Sequence, residues 1–462
     1  MTVAPVPGPM PSSQPEGLHW QRLHPLTPVV AAGRIVAVLL VVAAEGSVGR
    51  RAGNTTELVD VALLAVVLLA SVVRWLVTKW ALDGVTLRIE TGLFRRDARQ
   101  LPLVRIQAVD VARPFLARLV GLAELRIRLA GSGRSSGRLS YLSEAMVLDL
   151  RARLLAGHHG LDLATPEPAE QPLATVATGQ LVAAALLSPA AFVVPLLVAA
   201  IVVVSATSPA PAAAGVSGTL VAYLIGFARL TWRRVVDQYG FSVGQAPDGI
   251  RIRRGLLSTI AETVPVARVQ AVQKVEPLLW RPLRWCRLEI VVAGSPGREQ
   301  GTRAGRVTKA LMPVGPRGAA DGFFYSLLGM ETVALVPPPA RARWKTPLSY
   351  HFLAAGLGHS IVAASTGRLR KVTTWVPLIK IQSVRRVQGP LQRALGLATV
   401  HVDAAGRRVR AELRDRSLPE ADRLFEQLVL ASRAARRQAS PGTLPSGAER
   451  QGSLAAQPPL PQ

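Results

Sequence analysis

One nine-residue pattern occurs three times in the chain: LPLVRIQAV at Leu101 to Val109, VPVARVQAV at Val264 to Val272, and VPLIKIQSV at Val376 to Val384. Aligned on Gln107, Gln270 and Gln382, the three stretches agree well beyond those nine positions. Gly92, Gly255 and Gly367 stand fifteen residues earlier, Pro102, Pro265 and Pro377 five earlier, and the bases Arg105, Arg268 and Lys380 two earlier. Leu116, Leu279 and Leu391 follow at nine, and Arg118, Arg281 and Arg393 at eleven. Ala130-Gly131, Ala293-Gly294 and Ala405-Gly406 follow at 23 and 24. A register that runs forty residues without a gap is an internal repeat, so the chain holds three copies of one domain.

Within a copy the pattern around the glutamine alternates with period two, as in a strand with one buried face. Val104, Ile106 and Ala108 are expected on one face, with Arg105 and Gln107 on the other. Strands are expected before it (VTLRIETGLF, GIRIRRGLL, SIVAASTGRL), with the glycine at a turn or bulge of positive φ. Leu-x-Arg then marks a turn or short irregular helix, and LRIRLAG, LEIVVAG or VHVDAAG a further strand. Each copy closes with an amphipathic helix; in the last, Leu424, Phe425 and Leu428 share a face and Pro419-Glu420 suits a helix start. Strands followed by one helix suit a small bent sheet plugged by that helix.

Hydrophobic residues make up 49% of the 462 and mean hydropathy is +0.28, so membrane spans are sought. Four apolar stretches fit: Leu26 to Ala44, Leu58 to Val77, Leu181 to Ala206 and Ala210 to Leu230. They are expected to form two transmembrane hairpins. The loop Ser205 to Gly215 is uncharged, while Arg22, Arg74, Lys79, Arg229, Arg233 and Arg234 flank the other ends. Positive charge then places both termini and all three domains in the cytoplasm, on a bacterial plasma membrane. Arg34, Asp60 and Arg74 fall near the interfaces, where they need no transport role.

The order of Gly, Pro-x-x-[Arg/Lys]-[Ile/Val]-Gln-x-Val, Leu-x-Arg and Ala-Gly after a helical hairpin resembles the bacterial pleckstrin-homology-like (PH-like) membrane proteins. The resemblance is to a large member of the YdbS/YdbT type, and it covers nearly all of residues 20 to 435. It implies an α+β integral membrane protein in which each copy is a bent antiparallel split β-barrel capped by a C-terminal helix. The layout expected is a disordered tail (1–25), hairpin 1 (26–80), PH-like domain 1 (81–160), a linker (161–178), hairpin 2 (179–232), domains 2 (233–333) and 3 (341–437), and a second disordered tail (438–462). Copy two departs locally, with Trp285-Cys286 near the position of Gly121-Leu122 and Gly396-Leu397.

Nothing points to catalysis or a cofactor. Neither G-x-x-x-x-G-K-[ST] nor H-E-x-x-H occurs. GSGRSSGR at Gly131 to Arg138 reads as a hairpin tip or a phosphate cradle. His158-His159 has only Asp162 close enough in sequence to share a metal. Cys286, the single cysteine, is a core thiol or, beside Arg284 and Arg287, an activated one.

The repeat residues Pro102, Arg105, Gln107, Arg118, Pro265, Arg268, Gln270, Arg281, Pro377, Lys380, Gln382 and Arg393 define the fold or an interaction face. The chain carries +26, and residues 341–437 hold 19 Arg/Lys against 6 Asp/Glu, with Arg407, Arg408 and Arg410 clustered as an anionic-surface contact. Three functions follow as expectations. The first is a non-enzymatic scaffold at the inner membrane face that pairs with itself; the family resemblance further implies a smaller single-domain relative as partner and a link to envelope or stress physiology. The second is an anionic-lipid sensor. The third is a small-molecule or lipid transporter. Aromatic residues are only 5% and do not interleave with the basic motif, which disfavours nucleic acid.

Overall fold

A computed structural model describes residues 19–33, 54–92, 97–129, 137–158, 170–188, 193–207, 210–247, 249–292, 308–328, 333–405 and 410–439. Most of both tails, the first expected span beyond residue 33, Ala130 to Ser136, His159, Asp162, Ala293-Gly294, Gly406, Arg407 and Arg408 lie outside them. The chain divides into unit 1, residues 1–170 with 257–263, and unit 2, residues 171–256 with 264–462.

Unit 1 begins with an antiparallel sheet of β1 (Gln21–Arg22), β2 (Lys79–Asp83), β3 (Thr86–Thr91) and β4 (Asp97–Pro102), in that order. A second sheet holds β5 (Ile106–Arg113), β6 (Leu122–Leu129) and β7 (Gly137–Ser143), with the helix Glu144–His158 packed on it. In unit 2, β8 (Gln171–Thr175), β9 (Ser242–Ala246) and β10 (Gly249–Arg254) pair in sequence. Then comes β11 (Thr259–Val264), all but its last residue in unit 1. Next are β12 (Val269–Pro277), β13 (Trp285–Val292), β14 (Thr308–Pro316) and the helix Arg317–Leu328. The third copy supplies β15 (Ala354–Leu357), β16 (Ile361–Thr366), β17 (Arg370–Pro377), then β18 (Ile381–Val387), β19 (Leu397–Ala404), β20 (Arg410–Ser417) and the helix Leu418–Gln438. The protein is α+β, and the strand pairings described are antiparallel.

Each copy turns from its first sheet to its second inside the repeated nonapeptide. Pro102, Pro265 and Pro377 have φ of −60°, −59° and −61° and lead into 3-10 helices at Leu103–Arg105, Val266–Arg268 and Leu378–Lys380. Proline fixes that φ and ends the preceding ladder, since it has no N–H to donate. The expectation of one continuous strand is therefore corrected. The 3-10 helix has three residues per turn and resets the alternation, so Val104 is 72% exposed while Leu103 and Ile106 are buried.

The repeated glycines behave as expected. Gly92, Gly255 and Gly367 have φ of +109°, +112° and +96°. At Gly367 a Cβ would lie 2.2 Å from the Arg370 carbonyl oxygen. The departure of copy two resolves in the same way: Arg284, at φ +52°, occupies the turn position of Gly121 (+66°) and Gly396 (+61°). The expected short helix after the glutamine is present as Phe115–Leu119, Leu278–Trp280 and Pro390–Ala394. In the last helix Pro419 and Glu420 occupy the first turn; Leu428 is fully buried, and Leu424 packs beside it.

The reading of two transmembrane hairpins, four spans in all, is overturned. Among the described residues no helix is long and apolar enough to cross a membrane. The third stretch is two helices, Thr178–Leu186 and Val193–Thr207, of nine and 15 residues. At 1.5 Å per residue the longer reaches about 22 Å against a hydrocarbon core of about 30 Å. The shorter buries Leu181 and Ala184 against Trp280 and Val314, so its apolar side faces protein. The helix Ala210–Gln238 carries Arg229, Arg233, Arg234 and Asp237 toward its C-terminal end. The helix Asn54–Val77 carries Arg74 in its last turn. Of the first stretch, residues 27–33 are helical, and Val30 packs with Ala117, Leu122 and Tyr141.

Candidate functional site: strand junctions between the copies

The sheets do not stop where a copy stops. Within unit 1, β11 of the second copy pairs with β5 of the first: Thr259 lies opposite Arg113, Ile260 opposite Ala112, and Ala261 opposite Val111. Within unit 2, β17 of the third copy pairs with β12 of the second, from Val272 opposite Trp375 to Pro277 opposite Arg370. The two junctions share one register. Thr259 and Lys371 each stand eleven residues before their own glutamine, and their partners Arg113 and Glu276 each stand six after theirs.

Side chains close both junctions. In unit 1 the buried Asp110 accepts a hydrogen bond from the Thr263 backbone N–H at 3.3 Å and is ion-paired with Arg128. Buried Arg151 donates to Thr263 Oγ1 at 3.3 Å. In unit 2, Gln273, at the position equivalent to Asp110, donates to Thr374 Oγ1 at 3.3 Å. Lys274 sits over the Trp375 ring at 5.5 Å, and the Leu278 N–H donates to the Leu369 carbonyl at 2.9 Å. The core of the third copy takes in Ala271 and Val291 from β12 and β13 of the second. Those strands are apolar on both faces because a core lies on each side.

Residues 29–158, 181–314 and 323–431 match the model of the bacterial PH domain family, and together they make up most of the chain. The chain belongs to the bacterial PH domain family. No curated protein and no solved structure matches it.

The sequence-predicted residues of the three bacterial PH domains fall into distinct places. Pro102, Pro265 and Pro377 cap the 3-10 corners. Arg105 is exposed at the end of its corner and Arg268 half-buried at the end of its own. Lys380 Nζ, at the third corner, donates to the Ala267 carbonyl of the second domain at 2.7 Å. Gln107 lies in β5, its side chain outside the described set. Gln270 is buried and donates to the Arg268 carbonyl at 3.2 Å, whereas Gln382 is exposed on β18. Arg118 and Arg393 are exposed on their short helices. Arg281 crosses the second junction: its guanidinium donates to the Arg368 carbonyl at 2.5 Å and lies over the Phe352 ring at 4.7 Å. Burial lowers its pKa, with Glu276 opposing and Arg317 adding.

Of the basic cluster, only Arg410 is described. Its Nε donates to Asp403 Oδ1 at 2.9 Å, and that bond raises its pKa. Burial pushes the Asp403 carboxyl up, but hydrogen bonds from Arg410, Ser383 and Arg385 outweigh it and leave the pKa below the ordinary value. Arg410 and Arg385 share this one carboxylate, so the group keeps a net positive charge. Cys286 is fully buried, and burial pushes its thiol up to about 12, the opposite of activation.

The sequence shows which positions correspond between copies, but not that −11 to −9 of one copy would pair with +4 to +6 of the copy before it. No local signal carries that, because Thr259, Lys371 and their partners share no residue type.

Proposed function

We propose that the protein is a non-enzymatic scaffold in which three PH domains are joined into an array for binding other proteins. The single observation that supports it is the common register of the two junctions, which uses the edges of successive domains as docking surfaces. Main-chain ladders of this kind give affinity, and flanking side chains give specificity.

Crosslinking in the producing cells, followed by purification and mass spectrometry, tests this reading. A protein partner, or further copies of the chain, recovered in fixed proportion is the expected result. A chain recovered alone with a stoichiometric small molecule or lipid would overturn it.

A further inference from the structure

Two strand edges break the pattern of the repeat. The third strand of the first sheet pairs with the preceding copy in copies two and three, as β11 and β17 do. Its counterpart in copy one, β4, ends its sheet. Likewise the first strand of the second sheet is paired by the following copy in copies one and two, as β5 and β12 are, while β18 ends its sheet in copy three. At the other ends of the sheets β7, β14 and β20 hold equivalent positions in the three copies, while β1 and β8 cover β2 and β9 in copies one and two and Val336 bridges Ala355 of β15 in copy three. Among the described residues there is thus one donor edge and one acceptor edge of the same junction, each without its partner. Both are open: Asp97 to Gln100 of β4 are exposed, as are Gln382, Ser383 and Arg385 to Val387 of β18.

We propose that β4 of one molecule adds to β18 of a second copy of this chain, antiparallel and in the register of the two internal junctions. This rests on the scaffold reading and names its partner. Carried over position by position, the register sets Asp97 opposite Val387, Ala98 opposite Arg386, Arg99 opposite Arg385 and Gln100 opposite Val384. The Arg99–Arg385 pair is the one unfavourable match, since like charges directly opposite destabilise a sheet. Each arginine has a carboxylate beside it, however: Asp97 at 2.8 Å from Arg99, and Asp403, shared with Arg410, at 2.9 Å from Arg385. The contact is heterologous, so it extends into filaments unless its rotation closes a ring.

The test uses the full-length chain with Ala98→Cys and Arg386→Cys together. Opposed residues of an antiparallel pair lie about 4.5–5.5 Å apart at Cα, within disulfide reach. Cys286 is fully buried and stays silent. Mild oxidation with copper-phenanthroline should give a ladder of covalent dimers and larger species on a non-reducing gel. Ala98→Cys with Arg385→Cys should give about tenfold less, because a one-residue slip turns the side chain to the other face. No ladder, an equal ladder from the slipped pair, or dimers from either single variant would each overturn the proposal. Should the substitutions unfold the chain, sedimentation velocity of the unaltered protein decides. Mass growing with concentration beyond one chain is expected, and a single-chain mass at every concentration refutes head-to-tail addition. A refuted junction leaves the scaffold reading to the cellular crosslinking, where partners other than this chain still register.

Discussion

Lys371 stands directly opposite Glu276 where β17 of the third domain meets β12 of the second, and each holds the same place in its own repeat as Thr259 and Arg113 hold in unit 1. The pairs differ wholly in chemistry yet keep one register. The backbone corner at the proline, and not any one side-chain pair, therefore aligns the junction.

Arg281→Ala should loosen the second junction. It removes a bond to the Arg368 carbonyl and the stacking on Phe352. A loss of about 1 kcal/mol is expected, since the carbonyl is exposed and water replaces part of the bond. Arg393→Ala, at the equivalent exposed position, should stay within about 0.5 kcal/mol. Thermal unfolding of both variants checks this, and equal effects would remove the special role of Arg281.

Arg284→Gly should stabilise the protein. Arg284 takes φ +52° at a turn where the other domains use glycine. A left-handed residue with a Cβ costs about 1–2 kcal/mol, part of which glycine returns as chain entropy. The expected gain is about 0.5–1 kcal/mol, read as a higher midpoint in urea. A lower midpoint would mean that the exposed side chain makes contacts worth more than the strain.

Lys345→Met should destabilise the third domain by about 2–3 kcal/mol. Asp415 is fully buried, and Lys345 Nζ at 2.5 Å is its cation. Gln392 Nε2 donates to the same oxygen at 2.6 Å but carries no charge. The double variant Lys345→Met with Asp415→Asn should recover part of the loss. Chemical denaturation of the two variants provides the comparison.

His401→Gln should reduce acid sensitivity. Burial lowers the His401 pKa, helped by Arg410 and Arg385 and opposed by Glu412 and Asp403. The Glu412 carboxylate, 3.7 Å away, does not offset the desolvation. The folded pKa therefore lies below the ordinary 6.5. As pH falls from that value the unfolded chain takes up the proton first, so stability falls with pH until the folded pKa is passed. Denaturant midpoints at several pH values between 7.5 and 5 should show this loss in the wild type and a smaller one in the variant. Parallel curves would remove His401 from the account.

Triplication, the positions of the turns and the closing helices are legible in the sequence because each depends on local chemistry. Gly367 needs positive φ, and Pro419 with Glu420 starts a helix. Two features were not legible. The apolar runs taken as spans have the composition of lipid-facing helices, yet Leu181 and Ala184 spend their apolar surface on Trp280 and Val314; hydropathy does not say whether lipid or protein covers a side chain. The phase of the nonapeptide is hidden because a 3-10 corner looks, letter by letter, like a strand.

By itself the sequence determined that one domain is repeated three times and which positions correspond between the copies. Only the tertiary structure decided that β11 joins β5 and β17 joins β12, leaving β4 and β18 at the sheet edges. The physical reason is that strand pairing joins backbone groups, which every residue carries alike. Which strand is added to which is settled by the position of the corner and the cores on either face, and neither can be read from one segment alone.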